Sequence, residues 1–212
     1  MINIYHNLGL GDHIVCNGII RHYAFLYNRV YVYCKPHNEH SVKTMYSDDD
    51  NIKVIALPQK DIEKIPKYDN WVIARSKADG EFHFDEEMYI KARVPFKYKW
   101  EKFKIQRYMG REKELFDKLG LKENEYIFIH DKGSMPIHIA TDIATVCPDN
   151  LDYAITDYLY ILENAKEIHC IDSAFLNLVD CYGIDSDLYF HKRVRGATDM
   201  ATPQLKLNWK IL

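Results

Sequence analysis

The feature that most constrains the fold of this chain is the alternation of short apolar runs, rich in Val, Ile and Tyr, with longer amphipathic segments. Such alternation is typical of an α/β domain with parallel strands. The apolar runs carry few polar residues, which favours strands that are buried on both faces. In the first half, the predicted strands span residues 2–7, 29–34, 52–57 and 70–74.

The segments between these runs predict helices. We expect one helix over residues 12–27 and another over 86–93, with an extended segment after Pro95. A second α/β pattern begins at "YIFIHD", and its strand "EIHCID" leads directly into the helix "SAFLNLVDCYG". The polar stretch "LKENE" lies between the two patterns and predicts a boundary between a domain at 1–122 and a shorter one at 123–212.

Charge and hydropathy exclude several classes of function. The chain has 28 Lys and Arg against 31 Asp and Glu, so its net charge of −3 gives no overall attraction to nucleic acid. No apolar run approaches the roughly 20 residues that span a bilayer. A basic segment followed by an apolar one is missing before the first strand, so we expect no signal peptide. We therefore expect a cytoplasmic protein without an integral membrane segment. The 5 cysteines lack CxxC spacing, which favours reduced structural thiols.

The first stretch with chemical content is "GLGDHIVCNGIIR". Ile14 occupies the third glycine position of a dinucleotide-binding turn, and no Lys-Ser or Lys-Thr pair follows, so neither that turn nor a P-loop fits. Two interpretations of Asp12 remain. Its carboxylate caps a helix, or it takes a proton from the hydroxyl group of an acceptor.

The second stretch is "EIHCIDSAFLNLVDCYG", in which Ser173 opens a helix directly after a strand. A helix start at the carboxyl end of a parallel sheet presents unpaired N–H groups, which favour an anion. The alternative is that Ser173 is only an N-cap residue.

Together, the two stretches resemble motifs of the heptosyltransferase-like glycosyltransferases. "GLGDHIVCNGIIR" resembles their G-x-x-G-D opening, and "IDSAFLNLVDCYG" resembles their D-[ST]-G-x-x-H segment, with Ala174 in place of the glycine and Asn177 in place of the histidine. The resemblance implies the GT-B fold: two Rossmann-like domains facing across a cleft, of which the second is reduced here. It also implies that the acceptor binds mainly to the first domain and a sugar nucleotide mainly to the second.

The resemblance assigns roles to residues of both domains. Asp12 would be the catalytic base, with Gly9, Gly11, His13 and Asn17 on the acceptor side. Basic residues that follow the first and last strands of the second domain would offset the charge of the donor, among them His191 and Arg193. The residues predicted to bind the nucleotide diphosphate are Lys132, Ser134, Asp172, Ser173, Asn177, Lys192 and Arg195.

The predicted activity is therefore transfer of a hexosyl or heptosyl group from a nucleotide diphosphate donor to a glycan or another hydroxyl acceptor. No D-x-D triplet stands at a strand end, and "SDDDN" reads as a turn, so we expect no metal and no cofactor besides the donor substrate. Two other functions stay open. A sugar-nucleotide epimerase would share the cleft, and the short second domain also suits a non-catalytic nucleotide- or glycan-binding module.

Overall fold

The computed structural model describes residues 1–131, 136–148, 152–192 and 199–212. The chain forms two compact units. The first unit comprises Met1–Gln106 and a later segment, Val194–Gln204, and the second comprises Arg107–Arg193 and Leu205–Leu212. The change of unit after Gln106 comes earlier in the chain than the boundary expected from the sequence at residues 122–123, and the helix at Met109–Lys118 lies in the second unit.

The sheet of the first unit has the strand order β3-β2-β1-β4, and all of its pairs are parallel. Ile4 of the central strand lies opposite Val32 on one side and Val72 on the other. The central strand is buried along its whole length, as its apolar sequence predicts. The strands are β1 (Ile2–His6), β2 (Val30–Cys34), β3 (Ile52–Ala56) and β4 (Trp71–Ala74).

The helices of the first unit differ from the sequence prediction in two places. The single helix expected over residues 12–27 is wrong, because two helices meet at Cys16 and the first begins at Leu10. The extended segment expected after Pro95 is also wrong, because it contains a short helix. The helices are α1 (Leu10–Val15), α2 (Asn17–Leu26), α3 (Glu39–Met45), α4 (Gln59–Lys64), α5 (Phe84–Ala92) and α6 (Tyr98–Glu101).

Close packing between α2 and the segment around α6 explains both differences. Asn17, at the start of α2, is fully buried; its amide nitrogen donates to the Lys104 carbonyl at 3.0 Å and its amide oxygen accepts from the Lys104 N–H at 3.0 Å. A Cβ atom at Gly18 would lie 2.0 Å from the carbonyl oxygen of Tyr98. Only glycine allows this approach of the two backbones.

A buried ion pair holds the returning segment on the first unit. Lys99 Nζ lies 2.8 Å from Asp85 Oδ2, and neither side chain is exposed. Both groups also bind the backbone of Gln204, since Lys99 donates to its carbonyl at 2.5 Å and Asp85 accepts from its N–H at 3.0 Å. These extra hydrogen bonds offset part of the cost of removing two charges from water.

The sheet of the second unit has the strand order β6-β5-β7-β8-β9, again with all pairs parallel. The last strand was not expected from the sequence, since two residues carry no periodic pattern. The strands are β5 (Tyr126–His130), β6 (Ala144–Val146), β7 (Glu167–Cys170), β8 (Asp187–Phe190) and β9 (Lys210–Ile211), and the helices are α7 (Met109–Lys118), α8 (Leu159–Glu163) and α9 (Ala174–Tyr182).

The two faces of the second sheet have different partners. Phe128 packs against Phe175 of α9, with ring centroids 5.2 Å apart. On the opposite face, an apolar cluster joins residues of β5 with Ile137 and Ile171. Helix α9 also binds the C-terminal segment, because buried Asp180 accepts from the N–H groups of Lys206 and Leu207 and from the indole of Trp209.

Two further findings concern the predictions that the chain has no membrane-spanning segment and that its cysteines are reduced structural thiols. Within the described ranges, no helix combines the length and the apolar character needed to cross a membrane. The 5 cysteines all lie in the described ranges and form no disulfide, and each is buried except Cys147, which is exposed.

The contact at Gly18 predicts a large effect of a single methyl group. In the Gly18→Ala variant, the new Cβ must displace the Tyr98 carbonyl, so we expect a loss of about 1–3 kcal/mol in the free energy of unfolding. Gly110→Ala in α7 is the matched control, because no atom lies within 4 Å of its added Cβ. We expect this control to be neutral or slightly stabilising. Urea denaturation of both variants measures the difference, and equal stabilities would contradict the close approach.

Candidate functional site

The turn after β1 brings together the glycines and the aspartate of the first motif. Gly9 is the N-cap of α1, and Asp12 is the third residue of that helix. Asp12 Oδ2 accepts from the Gly9 N–H at 2.9 Å. A Cβ atom at residue 9 would lie 2.6 Å from this same oxygen. Gly9 thus gives the carboxylate room, and Asp12 does cap the helix.

Leu8 fixes the path of the chain into this turn. It is fully buried and has a left-handed backbone with φ of 69°, which is uncommon for a residue other than glycine. Its N–H donates to His6 Nδ1 at 3.2 Å, and its carbonyl accepts from Asn38 at 3.2 Å. The preceding Asn7 donates to the Ser76 carbonyl at 2.9 Å, beyond the end of β4. The surroundings therefore hold this strained conformation in place.

Two histidine rings on either side of the turn lie in contact, one from the end of β1 and one from α1. His6 and His13 are fully buried, and their ring centroids are 4.3 Å apart in an edge-to-face arrangement. His6 Nε2 and both ring nitrogens of His13 lack a hydrogen-bond partner among the described residues. Burial lowers the pKa of His6 to about 3, and burial together with the neighbouring His6 lowers the pKa of His13 well below its usual value. Both rings are therefore neutral at physiological pH.

The structure thus separates the residues predicted on the acceptor side into two groups. Gly9, Gly11 and Asp12 are partly exposed at the carboxyl edge of the first sheet. His13 and Asn17 are fully buried, where His13 contacts His6 and Asn17 binds the Lys104 backbone. Contact of these residues with an acceptor stays a prediction.

At the carboxyl edge of the second sheet, β7 leads through Asp172 into α9. Ser173 is the N-cap residue, and its Oγ accepts from the Leu176 N–H at 3.3 Å. Asn177, almost fully buried one turn later, donates to the Ser173 carbonyl at 3.0 Å. Asp172 and Ser173 are partly exposed. The second motif therefore forms a capped helix start at a sheet edge, a position that suits an anion.

The end of the neighbouring strand β8 lies beside this helix start. The His191 N–H donates to the Cys170 carbonyl at 2.9 Å, and the Lys192 N–H donates to the Leu212 carbonyl at 3.1 Å. Lys192 therefore follows β8 at the edge that also carries Asp172 and Ser173. Lys132, Ser134 and Arg195 lie outside the described residues.

Sequence reasoning missed Glu167 and His169, which lie two residues apart on one face of β7. His169 Nε2 lies 3.2 Å from Glu167 Oε2, and His169 Nδ1 lies 2.9 Å from His191 Nε2. The period of two in "EIHCID" signals that Glu167 and His169 share a face. Only the strand register brings His191 to them. Within the described ranges, no three His, Cys, Asp or Glu side chains are grouped to hold a metal ion, and these three are no exception.

Comparison with known proteins supports the fold. No protein-family model and no curated protein sequence matches this chain. Among solved structures, the crystal structure of a glycosyl transferase family 9 protein from Veillonella parvula superimposes with a TM-score of 0.63 at 8% sequence identity. The match covers 100% of this chain and 86% of that one. The two proteins share a fold. The predicted α/β class with parallel sheets is confirmed, and the facing of two domains across a cleft stays a prediction.

The buried histidine pair predicts a loss of stability in acid. The folded pKa values lie below the ordinary value of 6.5, so stability is fully present above about pH 6.5 and is lost as the pH falls toward the folded pKa values. His13→Leu removes one such group, and we expect the slope of unfolding free energy against pH to fall by up to about 1.4 kcal/mol per pH unit between about pH 6.5 and about pH 4.

The control for this measurement is His37→Gln, because His37 is exposed. Urea denaturation at several pH values should give the same slope for this control as for the unmodified protein. A His13→Leu variant with an unchanged slope would show that His13 is not held in its neutral form.

Proposed function

We propose that this protein transfers a sugar from a nucleotide diphosphate donor to a hydroxyl acceptor, without a bound metal or cofactor. The observation that carries the proposal is the match of the whole chain to the fold of a glycosyltransferase. Two features of this chain add support. A carboxylate lies beside glycines at the carboxyl edge of the first sheet, and a capped helix begins at the carboxyl edge of the second sheet.

In the proposed reaction, the hydroxyl oxygen of the acceptor attacks the anomeric carbon of the donor sugar, and Asp12 takes up the proton that this hydroxyl group loses. The bond between that carbon and the diphosphate oxygen breaks, and its electron pair leaves with the diphosphate. Asp12 Oδ2 already accepts from the Gly9 N–H. A carboxylate has about four acceptor positions, so the cap and the proton transfer are compatible. The strained Leu8 and the buried histidines below would keep the carboxylate in position.

In the same proposal, the start of α9 binds the diphosphate. The helix supplies N–H groups and the positive end of its dipole, and Lys192 at the neighbouring strand end supplies a full charge. Ser173 and Asn177 order this helix start through the cap and the bond to the Ser173 carbonyl. We also assign Asp172, Lys132, Ser134 and Arg195 to diphosphate binding, as the sequence motifs imply.

Substitutions at Asp12 separate the catalytic role from the capping role. Asn can still accept from the Gly9 N–H but cannot take a proton, so we expect Asp12→Asn to lower kcat by about 10²–10⁴-fold. Its free energy of unfolding should fall by no more than about 1 kcal/mol. Asp12→Ala loses the cap as well, and we expect roughly 1 kcal/mol of further destabilisation.

Two measurements are made on each variant. A transfer assay uses the donor identified by its binding to the protein, and urea denaturation gives the free energy of unfolding. Full activity of Asp12→Asn with bound donor would exclude Asp12 as the base and leave it only the cap.

Substitutions at Ser173 test the diphosphate site in the same way. Asp caps a helix about as well as Ser, so Ser173→Asp should keep the stability while its charge repels an anion. We expect this variant to weaken nucleoside diphosphate binding by at least about tenfold, as measured by calorimetry. Ser173→Thr keeps both the cap and the neutral charge and serves as the control. Equal affinities of the two variants would place the diphosphate elsewhere.

The two alternative functions give different outcomes. A thermal-shift screen with nucleoside diphosphates and their sugars first identifies the ligand. Mass spectrometry of the products then distinguishes transfer from isomerisation of the donor, which an epimerase would give. Binding without either product would indicate a non-catalytic module.

A further inference from the structure

A chain of three side chains runs along the face of the second sheet opposite α9 and ends at the carboxyl edge of that sheet. We name Glu167, His169 and His191 the imidazole relay. Glu167 Oε2 and His169 Nε2 are 3.2 Å apart, and His169 Nδ1 and His191 Nε2 are 2.9 Å apart. The first two residues belong to β7, and the third follows β8. Nothing in the transfer reaction described above requires Glu167 or His169 in this arrangement.

The central ring of the relay is held firmly. His169 is 5% exposed, and its ring stacks on Tyr189 at a centroid distance of 4.3 Å and an interplanar angle of 6°. Tyr189 is fixed in turn by Lys210, whose Nζ donates to the Tyr189 hydroxyl at 3.1 Å and to Asp187 Oδ1 at 2.9 Å. The relay therefore has a defined geometry before any ligand binds.

The contacts determine which ring nitrogens carry protons. An ionised carboxylate only accepts, so His169 Nε2 carries a hydrogen that it donates to Glu167. Burial lowers the pKa of His169, which keeps this ring neutral and leaves its Nδ1 as an acceptor. His191 Nε2 must then carry the hydrogen that it donates to His169.

His191 stands at the same sheet edge as the proposed diphosphate site. Its backbone N–H binds the Cys170 carbonyl, which places the residue at the edge where β7 continues into Asp172 and Ser173. Unlike His169, His191 is partly exposed. A positive charge on its ring would lie at the sheet edge that also carries the start of α9.

We propose that His191 binds the diphosphate as an imidazolium, and that Glu167 and His169 are positioning residues that favour this protonated form. The inference rests on the proposed function, which supplies the diphosphate. Glu167 stabilises the imidazolium through His169, because its negative charge is transmitted along two hydrogen bonds. The bound phosphates stabilise it further by a charge-assisted hydrogen bond.

The titratable and charged groups around the relay, among the described residues, come from several elements and have opposite effects. Carboxylates near His191 favour its protonation, whereas lysines disfavour it. On β7 and its continuation, these groups are Glu167, His169 and Asp172; on β8 and its continuation, Asp187, Tyr189 and Lys192; and on β9, Lys210.

The proposal predicts that binding of a diphosphate takes up one proton from solvent, and that this proton returns to solvent on release. Affinity must therefore rise as the pH falls through the range in which imidazoles titrate. We expect His191→Gln to bind inorganic pyrophosphate and nucleoside diphosphates about tenfold more weakly than the unmodified protein at about pH 6, and about equally at about pH 8.5. Because phosphates themselves titrate near pH 6, the quantity to measure at each pH is the ratio of the affinity of the unmodified protein to that of His191→Gln.

Two further variants distinguish a proton relay from a purely structural contact. Glu167→Gln weakens the support for the imidazolium, so it should shift the midpoint of the pH dependence to lower pH while low-pH binding is kept. Tyr189→Phe keeps the ring on His169 but loses the hydroxyl bound by Lys210, and it should behave as the unmodified protein does. Uniform weakening at every pH by Glu167→Gln would contradict the positioning role.

Calorimetry across this pH range and nitrogen NMR of the imidazoles complete the test. NMR of the unliganded protein should show a proton on Nε2 of both His169 and His191, and a different tautomer of His169 would overturn the relay. If diphosphates bind but His191→Gln leaves the pH dependence unchanged, this inference fails alone. If pyrophosphate and all nucleoside diphosphates fail to bind the unmodified protein at any pH, the proposed function fails and the inference fails with it.

Discussion

The parallel pairing of the strands is the constraint on which the described structure depends. In each sheet, every strand pair is parallel, so the carboxyl ends of its strands meet at a single edge. Residues that follow the strands are therefore brought together although they are distant in sequence. The carboxyl edge of the first sheet carries Gly9 and Asp12, and the carboxyl edge of the second sheet carries Ser173 and Lys192. Apolar strands buried on both faces leave the edges as the places where polar chemistry can be exposed.

The first unit combines well-satisfied and poorly satisfied buried polar groups. Lys99 and Asp85 Oδ2 bind each other and the Gln204 backbone, whereas Asp85 Oδ1 has no hydrogen-bond partner among the described residues. His6 and His13, by contrast, hold buried ring nitrogens without a described partner directly below the Asp12 turn. Such unsatisfied groups cost stability.

Several elements were predictable because local sequence decides them. Strands β1 to β5 and β7, the helix α9 and the glycine turn after β1 follow from apolar runs, a capping serine and closely spaced glycines. The break at Cys16, the short helix α6 and the strand β9 were not predictable. Each depends on partners far along the chain: α2 binds the Lys104 backbone, and β9 pairs with β8. The return of the chain to the first unit likewise depends on Lys99 and Gln204, which are 105 residues apart.

The sequence by itself determined that this chain builds parallel α/β sheets, because the apolar periodicity and the turns that follow each strand leave few other solutions. It also singled out Asp12 and Ser173 as polar residues at strand ends. The capping contacts of both residues are local and were among the interpretations that the sequence allowed: Asp12 accepts from the Gly9 N–H, and Ser173 caps α9. Only the tertiary structure decided the contacts between elements, since the register of β7 against β8 brought His169 to His191. Such contacts depend on distances of about 3 Å between residues of different strands, and no local pattern encodes them.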